Sequence, residues 1–184
     1  MTVPAPLPAA VRMVLLVEGG SDRAAVLAAA RGQGRDLAAE GVLVVATGGA
    51  GGVRRHLALA GPGVRVRGLY DVAEADVVRR ALGLPRGADP DARGFSTCVA
   101  DLEEELIRAV GVAGVEAVVG ELREDRALAT FRRQPAQRGR PPEAQLHRFL
   151  GTTAGRKARY ARALVERLDP GDVPAPLRRL LAGP

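Results

Sequence analysis

Acidic residues directly follow two apolar segments that are predicted to be strands. Glu18 follows the apolar run 11–17 (VRMVLLV), and Asp71 follows 64–70 (VRVRGLY). Asp22 comes four residues after Glu18, so its side chain can face the same crevice. Carboxylates that converge at the edge of a parallel sheet repel each other unless a cation lies between them, and such hard oxygen ligands suit Mg²⁺ or Mn²⁺. The pattern predicts a divalent metal site.

These acidic residues differ in how readily a purely structural role explains their positions. Glu18 and Asp71 have no evident structural role, because nothing calls for an acid straight after a buried strand. Asp22 is equally well interpreted as a helix cap. Glu74 suits the first turn of a helix, where the helix dipole favours acids. His147, like the other histidine of the chain, is isolated in the sequence and is interpreted as a surface or packing residue.

The basic residues are almost all arginine. Lys157 is the single lysine among 27 basic side chains. Where arginine has replaced lysine this widely, a remaining lysine indicates a position that needs a compact, flexible point charge, which a guanidinium does not imitate. The alternative is that this lysine persists by chance on a solvated helix.

Alternating strands and helices must position these groups. Three apolar strands alternate with three helices over the first 82 residues, which is typical of a parallel α/β sheet. The later segment 101–110 (DLEEELIRAV) has acidic residues in its first turn, and its pattern predicts an amphipathic helix. The predicted strands are 11–17, 42–46, 64–70 and 95–99, and the predicted helices are 21–32, 53–60, 74–82, 101–110, 115–122, 143–150 and 156–168, before a Pro-rich tail.

Composition narrows the class of protein. A chain of 184 residues with 47% hydrophobic residues can bury a core. One cysteine, Cys98, excludes an internal disulfide framework and a Cys-rich zinc site. The apolar runs are far shorter than the ~20 residues of a membrane span, and residues 1–12 lack a secretory signal pattern, so we expect a cytoplasmic protein without membrane contact.

The formal net charge of +6 and the scarcity of aromatic residues point to phosphate contact rather than base stacking. The glycine-rich loop 47–52 (TGGAGG) lacks both the Gly-Lys-Ser/Thr ending of a P-loop and the G-x-G-x-x-G spacing, so no nucleotide cofactor is expected. We predict a flexible N-terminus over 1–11, an α/β catalytic core over 12–122, and a basic linker with C-terminal helices packing on the core over 123–184.

The segments 14–22 (VLLVEGGSD) and 66–74 (VRGLYDVAE), with a glycine-rich loop between them, resemble a Toprim domain. The E-G-x-S-D form, and an Asp-Leu-Glu helix followed by a late Gly-Arg-Lys, resemble the branch of the OLD (overcoming lysogenization defect) nucleases. The resemblance covers 12–82 and, more loosely, 95–168. It implies an α/β fold, with a Rossmannoid parallel sheet of about four strands flanked by helices and a helical C-terminal extension.

The resemblance also assigns roles to the first group of acids. Glu18 matches the Toprim glutamate, a metal ligand or general acid/base, and Asp22 matches the second acid of the OLD-type motif. Asp71 matches the first acid of the usual Asp-x-Asp, but Ala73 stands where the second is expected. Glu74 is the nearest substitute, three residues from Asp71 on one helical face, and the number of metal ions is left open.

Later residues complete the implied site. Asp101 and Glu103 resemble the later acids of OLD-type sites, and Lys157 stands where that branch carries its lysine. Glu18 and Lys157 are therefore the expected catalytic residues. The expected ligands of Mg²⁺ or Mn²⁺ are Glu18, Asp22, Asp71, Glu74, Asp101 and Glu103. The basic segments of the C-terminal third supply the expected contacts to nucleic-acid phosphates, which are Arg138, Arg140, Arg156 and Arg159.

The resemblance implies a Mg²⁺-dependent nuclease with DNA as the expected substrate. Nucleotidyl transfer and RNA processing use the same kind of metal site and remain alternatives. A third reading, prompted by Ala73, is a module that binds nucleic acid or a partner without catalysis. OLD nucleases normally carry an ATPase domain before the Toprim part. This sequence shows none, so the chain is expected to act alone or with a separate ATPase protein, in an oligomeric state left open.

Overall fold

The computed structural model describes residues 11–153 and 155–182 of the chain. Nearly all of the predicted flexible segment 1–11 lies outside the described residues. The described strands form one sheet with the order β2-β1-β3-β4, and every neighbouring pair is parallel. The strands are β1 (Met13–Val17), β2 (Val42–Ala46), β3 (Arg65–Asp71) and β4 (Phe95–Cys98). The prediction of a parallel α/β sheet of about four strands is confirmed.

Helices surround this sheet and form the C-terminal half of the chain. Their bounds are α1 (Gly20–Gly32), α2 (Val53–Leu59), α3 (Ala75–Ala81), α4 (Leu102–Glu121), α5 (Asp125–Arg132), α6 (Pro142–Leu150), α7 (Arg156–Val165) and α8 (Ala175–Leu181). No helix in the described ranges is both long and apolar enough to cross a membrane.

Strand β1 is central because its side chains are apolar on both faces. Leu15 and Val17 belong to a large hydrophobic cluster that also takes in α1, α4, α6, α7 and α8. Val14 and Leu16 point to the opposite face, where a smaller cluster joins them to α2 and α3. A strand covered on both sides needs the continuous apolar pattern that this segment shows.

The connections of β1 and β3 leave the sheet on opposite faces. Helix α1, which follows β1, buries its apolar side in the large cluster. Helix α3, which follows β3, buries Val78 in the small cluster on the other face. A crevice opens at the carboxyl ends of neighbouring strands whose connections diverge in this way, and open α/β sheets bind ligands there. The chain order thus places Glu18 and Asp71 on either side of one crevice.

The helices after residue 122 pack on the sheet domain and share its core. Helix α7 runs along α1, and α4 packs against both α6 and α7. Two helices were absent from the sequence prediction: α5, in a stretch for which no element was predicted, and α8, in the Pro-rich tail. Helix α8 begins with Pro176 in its first turn, where proline is well tolerated, and it contacts β3 and β4.

Helix α4 also differs from the prediction of two separate helices. It continues from Leu102 to Glu121, but Gly111 in its middle has a φ of 74° and leaves helical geometry. Glycine adopts this left-handed region without the steric penalty of other residues. The helix therefore bends at Gly111, and the two predicted helices are its two halves.

Gly68 in β3 allows the aromatic ring of Phe95 in β4 to pack flat against the sheet. The two residues are register partners, and a Cβ added to Gly68 would lie 2.4 Å from the Phe95 ring. Real Cβ atoms do not approach so closely, so any larger residue displaces the ring. This contact fixes β4, and with it the start of α4, against β3.

We expect Gly68→Ala to lower the free energy of unfolding by about 1–3 kcal/mol through overpacking. Gly32→Ala is the matched control, because no heavy atom lies within 4 Å of a Cβ added there. That change should be neutral or stabilise the helix by about 0.5–1 kcal/mol. Urea denaturation measures both variants. Equal stability of the two would contradict the packing role of Gly68.

Candidate functional site

Acidic side chains from three segments of the chain interact at the carboxyl edge of the sheet. Burial and the neighbouring charges of Glu18, Asp101, Asp22 and Glu74 together raise the pKa of Asp71 to about 7. Burial and the charges of Glu74, Glu103 and Asp101 likewise raise the pKa of Glu18, while Lys157 lowers it. We call this set the carboxylate cluster, and its members are Glu18, Asp22, Asp71, Glu74, Asp101 and Glu103, with Lys157 beside them.

The glycine-rich loop after β2 fixes the backbone of Glu18. Gly48 and Gly49, both with positive φ, donate their N–H groups to the Glu18 carbonyl at 3.0 and 3.4 Å. Thr47 donates its N–H and its hydroxyl to the Val17 carbonyl, at 2.8 and 3.1 Å. The loop is thus a support for Glu18, which agrees with its lack of a nucleotide-binding motif.

Asp22 acts as a capping residue and also belongs to the carboxylate cluster. Its Oδ2 accepts a hydrogen bond from the Gly19 N–H at 2.9 Å, at the start of α1. Burial raises its pKa to about 6, although the bond from Gly19 opposes the rise. The charges of Glu103 and Glu18 contribute to this rise. Both roles considered for Asp22 from the sequence are therefore compatible.

Asp71 and Glu74 occupy the two ends of a short 3₁₀ turn after β3. The turn covers Val72–Glu74, with Asp71 preceding it in extended conformation. Within the described residues the Asp71 carboxylate accepts no hydrogen bond, so no donor offsets the repulsion from the neighbouring acids. Glu74 acts more strongly on Glu18 than any other charged group does. Ala73 is exposed, and the acid that approaches the cluster from this turn is Glu74.

His147 holds Asp101 in place. Asp101 caps α4 by accepting a bond from the Glu104 N–H at 2.7 Å, and its Oδ2 lies 2.6 Å from His147 Nε2. Burial would raise the pKa of Asp101, but the bonds from His147 and Glu104 outweigh it and lower that pKa. The same contact raises the pKa of His147. The sequence interpretation of His147 as a surface or packing residue did not include this contact, because Asp101 lies 46 positions earlier in the chain.

The single lysine faces a buried glutamate. Lys157 Nζ lies 3.4 Å from Glu103 Oε1, and the Glu103 side chain is only 6% exposed. That glutamate oxygen accepts no hydrogen bond from any described residue. A buried carboxylate without full hydrogen bonding is costly, and such groups are usually found where a cation or ligand completes them. Lys157 comes from α7, so the helical extension completes the carboxylate cluster.

The composition of the carboxylate cluster fits a hard divalent cation. Six carboxylates face one ammonium group, and oxygen-only ligand sets select Mg²⁺ or Mn²⁺ over softer metals. In residues 11–153 and 155–182, no three acidic, histidine or cysteine side chains already lie close enough to hold an ion. Like charges keep carboxylates apart, so the side chains must move inward to coordinate. The Glu103 oxygen that accepts no hydrogen bond, and the raised pKa values of Glu18, Asp22 and Asp71, indicate where these side chains would meet a cation.

The four arginines predicted to contact phosphates fall into two pairs. Arg156 lies 2.8 Å from Glu124 and stacks over the Phe149 ring at 4.2 Å, and Arg159 also pairs with Glu124. These two have structural partners, and the Arg156 side chain is only 10% exposed, so it is the weakest candidate. Arg138 and Arg140 are exposed and form no ion pair with any described residue.

A family model described as "Overcoming lysogenization defect protein-like, TOPRIM domain" matches residues 11–70. This segment contains β1, β2 and most of β3, and it includes Glu18 and Asp22. No curated protein sequence matches the chain.

Solved structures show a similar fold over nearly the whole chain. The C-terminal region of the Burkholderia pseudomallei OLD protein is 22% identical, with a TM-score of 0.67, and the match covers 93% of this chain and 95% of that one. A structure of the C-terminal region of the Xanthomonas campestris pv. campestris OLD protein is 25% identical, with a TM-score of 0.69 and 93% coverage of both chains. The chain contains an OLD-like Toprim domain, and the resemblance noted in the sequence is confirmed.

We expect the metal-free protein to be more stable at pH ~6 than at pH ~8. Asp71 and Asp22 have pKa values of about 7 and about 6 in the folded protein, above the ~3.9 of an unfolded aspartate. At a pH between the unfolded and the folded pKa values, folding therefore takes up protons. The free energy of unfolding then falls as the pH rises through the folded pKa values. The raised pKa of His147 acts in the same direction. Thermal unfolding in EDTA measures the trend.

Asp71→Asn tests the source of this pH dependence. The change removes a buried, repelled charge, so it should raise Tm at pH ~8 and reduce the difference between the two pH values. Asp36→Asn is the matched control, because Asp36 is exposed and lies outside the carboxylate cluster. A lower Tm for Asp71→Asn at pH ~8, with an unchanged pH dependence, would show that repulsion does not limit stability here.

Proposed function

We propose that this chain is a metal-dependent nuclease that hydrolyses phosphodiester bonds, with DNA as its substrate. The observation that carries the proposal is the carboxylate cluster itself. Six acids and the only lysine meet at the crevice between β1 and β3, although they come from widely separated parts of the chain. No packing role explains so many buried or half-buried acids at one edge of a sheet.

The comparisons support the same class of reaction. The matched Toprim segment carries Glu18 and Asp22, and the Toprim region of OLD proteins is a nuclease module. The structural match extends to the helices that contribute His147 and Lys157. These relatives are distant, so they support the reaction class and leave the choice of nucleic acid to the experiment.

The residues divide the work as follows. Glu18, Asp71, Glu74, Asp101 and Glu103 are the proposed ligands, with Asp22 beside them. A bound Mg²⁺ or Mn²⁺ would polarise the phosphate and lower the pKa of an attacking water. Glu18, whose pKa is raised by burial and by neighbouring acids, is the carboxylate proposed to accept and return a proton.

Lys157 is proposed to stabilise the additional negative charge of the phosphate in the transition state. Its ammonium group is half-exposed on a flexible stem and lies at the edge of the carboxylate cluster. A positive charge placed where charge develops contributes more to the transition state than to the ground state. His147 acts indirectly, by keeping the Asp101 carboxylate in one orientation.

Nucleotidyl transfer and RNA processing remain alternatives because the same arrangement serves phosphodiester chemistry in both directions. A binding module without catalysis is the third possibility. The exposed, unpaired Arg138 and Arg140 favour nucleic acid as the ligand in every case. Cleavage of DNA and of RNA with the same sequence, assayed side by side, distinguishes DNA hydrolysis from RNA processing. The variants below distinguish an enzyme from a binding module.

We expect purified protein to nick supercoiled plasmid with Mn²⁺ or Mg²⁺, and EDTA to abolish nicking. Glu18→Ala and Lys157→Ala should each reduce the rate by about 100–1,000-fold. Lys157→Arg keeps the charge but not the compact ammonium, so its rate should stay within about tenfold of the Lys157→Ala rate. Nucleic-acid binding without any cleavage, unchanged in these variants, would identify a binding module instead.

We expect His147→Ala to weaken Mn²⁺ binding by about 10–100-fold, because hydrogen bonds to a metal ligand fix its orientation. His56→Ala is the matched control, since His56 lies in α2 and its ring is hydrogen-bonded to the Gly52 carbonyl rather than to an acid of the carboxylate cluster. This change should leave affinity unchanged. Isothermal titration calorimetry with Mn²⁺ measures both variants. Equal affinities would show that the bond between His147 and Asp101 serves only the packing of α6 on α4.

A further inference from the structure

A groove of about 570 Å³ lies between α4 and α6, next to the carboxylate cluster. We call it the α4–α6 groove. Its floor is apolar, and arginines surround the opening. Ile107, Val112 and Ala144 line the floor, and Arg108, Arg140 and Arg148 line the rim. Its volume lies within the range of sites that bind small molecules or single nucleotides.

The bend in α4 lies at this groove. Gly111 and Val112 line the groove at the point where α4 leaves helical geometry. A Cβ added at Gly111 would meet no heavy atom within 4 Å, so the backbone here borders open volume.

His147 forms the wall between the groove and the carboxylate cluster. One ring nitrogen lies 2.6 Å from Asp101, and the residue also lines the groove. Glu104, whose N–H donates to the Asp101 side chain that caps α4, lines it as well. A chain molecule bound at the carboxylate cluster can therefore extend directly into the groove.

The rim is positively charged once its internal pairs are counted. Arg108 is neutralised by ion pairs with Glu104 and Glu105. Arg140 and Arg148 form no ion pair with any described residue, and both are exposed. The unpaired acid on the rim is Glu143. Arg140 also donates its Nε–H to the Ala136 carbonyl at 2.8 Å, which leaves its other nitrogens available. Two guanidinium groups without an ion pair, against one carboxylate and over an apolar floor, are complementary to an apolar ring that carries a phosphate.

We infer that the α4–α6 groove binds one unstacked nucleotide of the cleaved strand, next to the scissile phosphate. This rests on the proposed function. The base would lie on Ile107, Val112 and Ala144, and Arg140 and Arg148 would contact its phosphate or stack on its face. A base enters such a groove only when it leaves a duplex, so the protein prefers single-stranded or frayed DNA.

The aromatic residues of the chain support this assignment by their location. Phe131, Phe149 and Tyr160 pack on one another, with centroid distances of 5.6 and 6.3 Å, and all three are buried. They offer no stacking surface to a nucleic acid. Guanidinium planes stack on bases, and in this groove they stand beside the proposed site of cleavage.

The test compares variants that alter the groove and leave the carboxylate cluster intact. Ala144→Leu fills the floor, Arg148→Gln removes one unpaired charge, and Arg31→Gln removes one exposed charge near the end of α1 as the matched control. Fluorescence anisotropy with Ca²⁺ measures the Kd of a labelled single-stranded oligonucleotide and of a blunt duplex. Hydrolysis of bis(p-nitrophenyl) phosphate with Mn²⁺ measures the metal site without a base.

We expect Ala144→Leu and Arg148→Gln to raise the Kd for the single strand by about 5–100-fold, the range of losing one stacked base. The Kd for the duplex should change much less, and hydrolysis of the small phosphodiester should not change. Arg31→Gln should leave both Kd values close to those of the parent. Glu143→Gln should tighten single-strand binding, because it removes the opposing charge.

Unchanged single-strand Kd values in both groove variants would overturn the inference and assign the groove to another ligand, such as a protein partner. Equal losses for single strand and duplex would also overturn it, since they indicate general phosphate contact. Absence of hydrolysis in the parent would contradict the proposed nuclease, whereas the binding comparison would still decide the role of the groove. Thermal unfolding checks that each variant is folded.

Discussion

Mutual repulsion among the acids at the carboxyl edge of the sheet is the constraint that the surrounding structure has to satisfy. Burial and neighbouring charge raise the pKa of Asp71 to about 7 and of Asp22 to about 6. A fold selected for stability alone would place solvent or apolar side chains there. The flanking elements hold the acids in place: the glycine loop bonds the Glu18 carbonyl, the start of α1 bonds Asp22, and His147 bonds Asp101.

The helical extension belongs to this site as much as the sheet does. Lys157 comes from α7 and His147 from α6, both beyond the expected boundary at residue 122. Helix α7 in turn packs along α1, the helix that carries Asp22. A domain boundary at residue 122 would therefore place the acids of the carboxylate cluster in one domain and the His147 and Lys157 that contact them in another. The strand ends and helix starts before residue 122 supply the acids, and α6 and α7 supply the histidine and the lysine that contact them.

The sequence was most informative where a short residue pattern also determines the place of a residue in the fold. Apolar runs such as β1 must be strands covered on both faces, and an acid right after such a run has few structural explanations, so Glu18 and Asp71 were predictable. His147 was not, because its contact with Asp101 depends on how α6 packs on α4, which no local pattern encodes. Helix α5 was missed because it is only eight residues long and half of them are polar, and α8 was missed because the prolines around its start suggested an irregular tail.

The bend of α4 at Gly111 lies where the helix borders both the main core and the α4–α6 groove. Before it, Asp101 caps the helix near the acids, and both halves of the helix join the main core, through Leu106 on one side and Val118 on the other. Gly111, at the bend itself, lines the groove that we propose as a nucleotide site. An interruption of this kind costs helical hydrogen bonds, and a role in binding the cleaved strand gives it a physical reason.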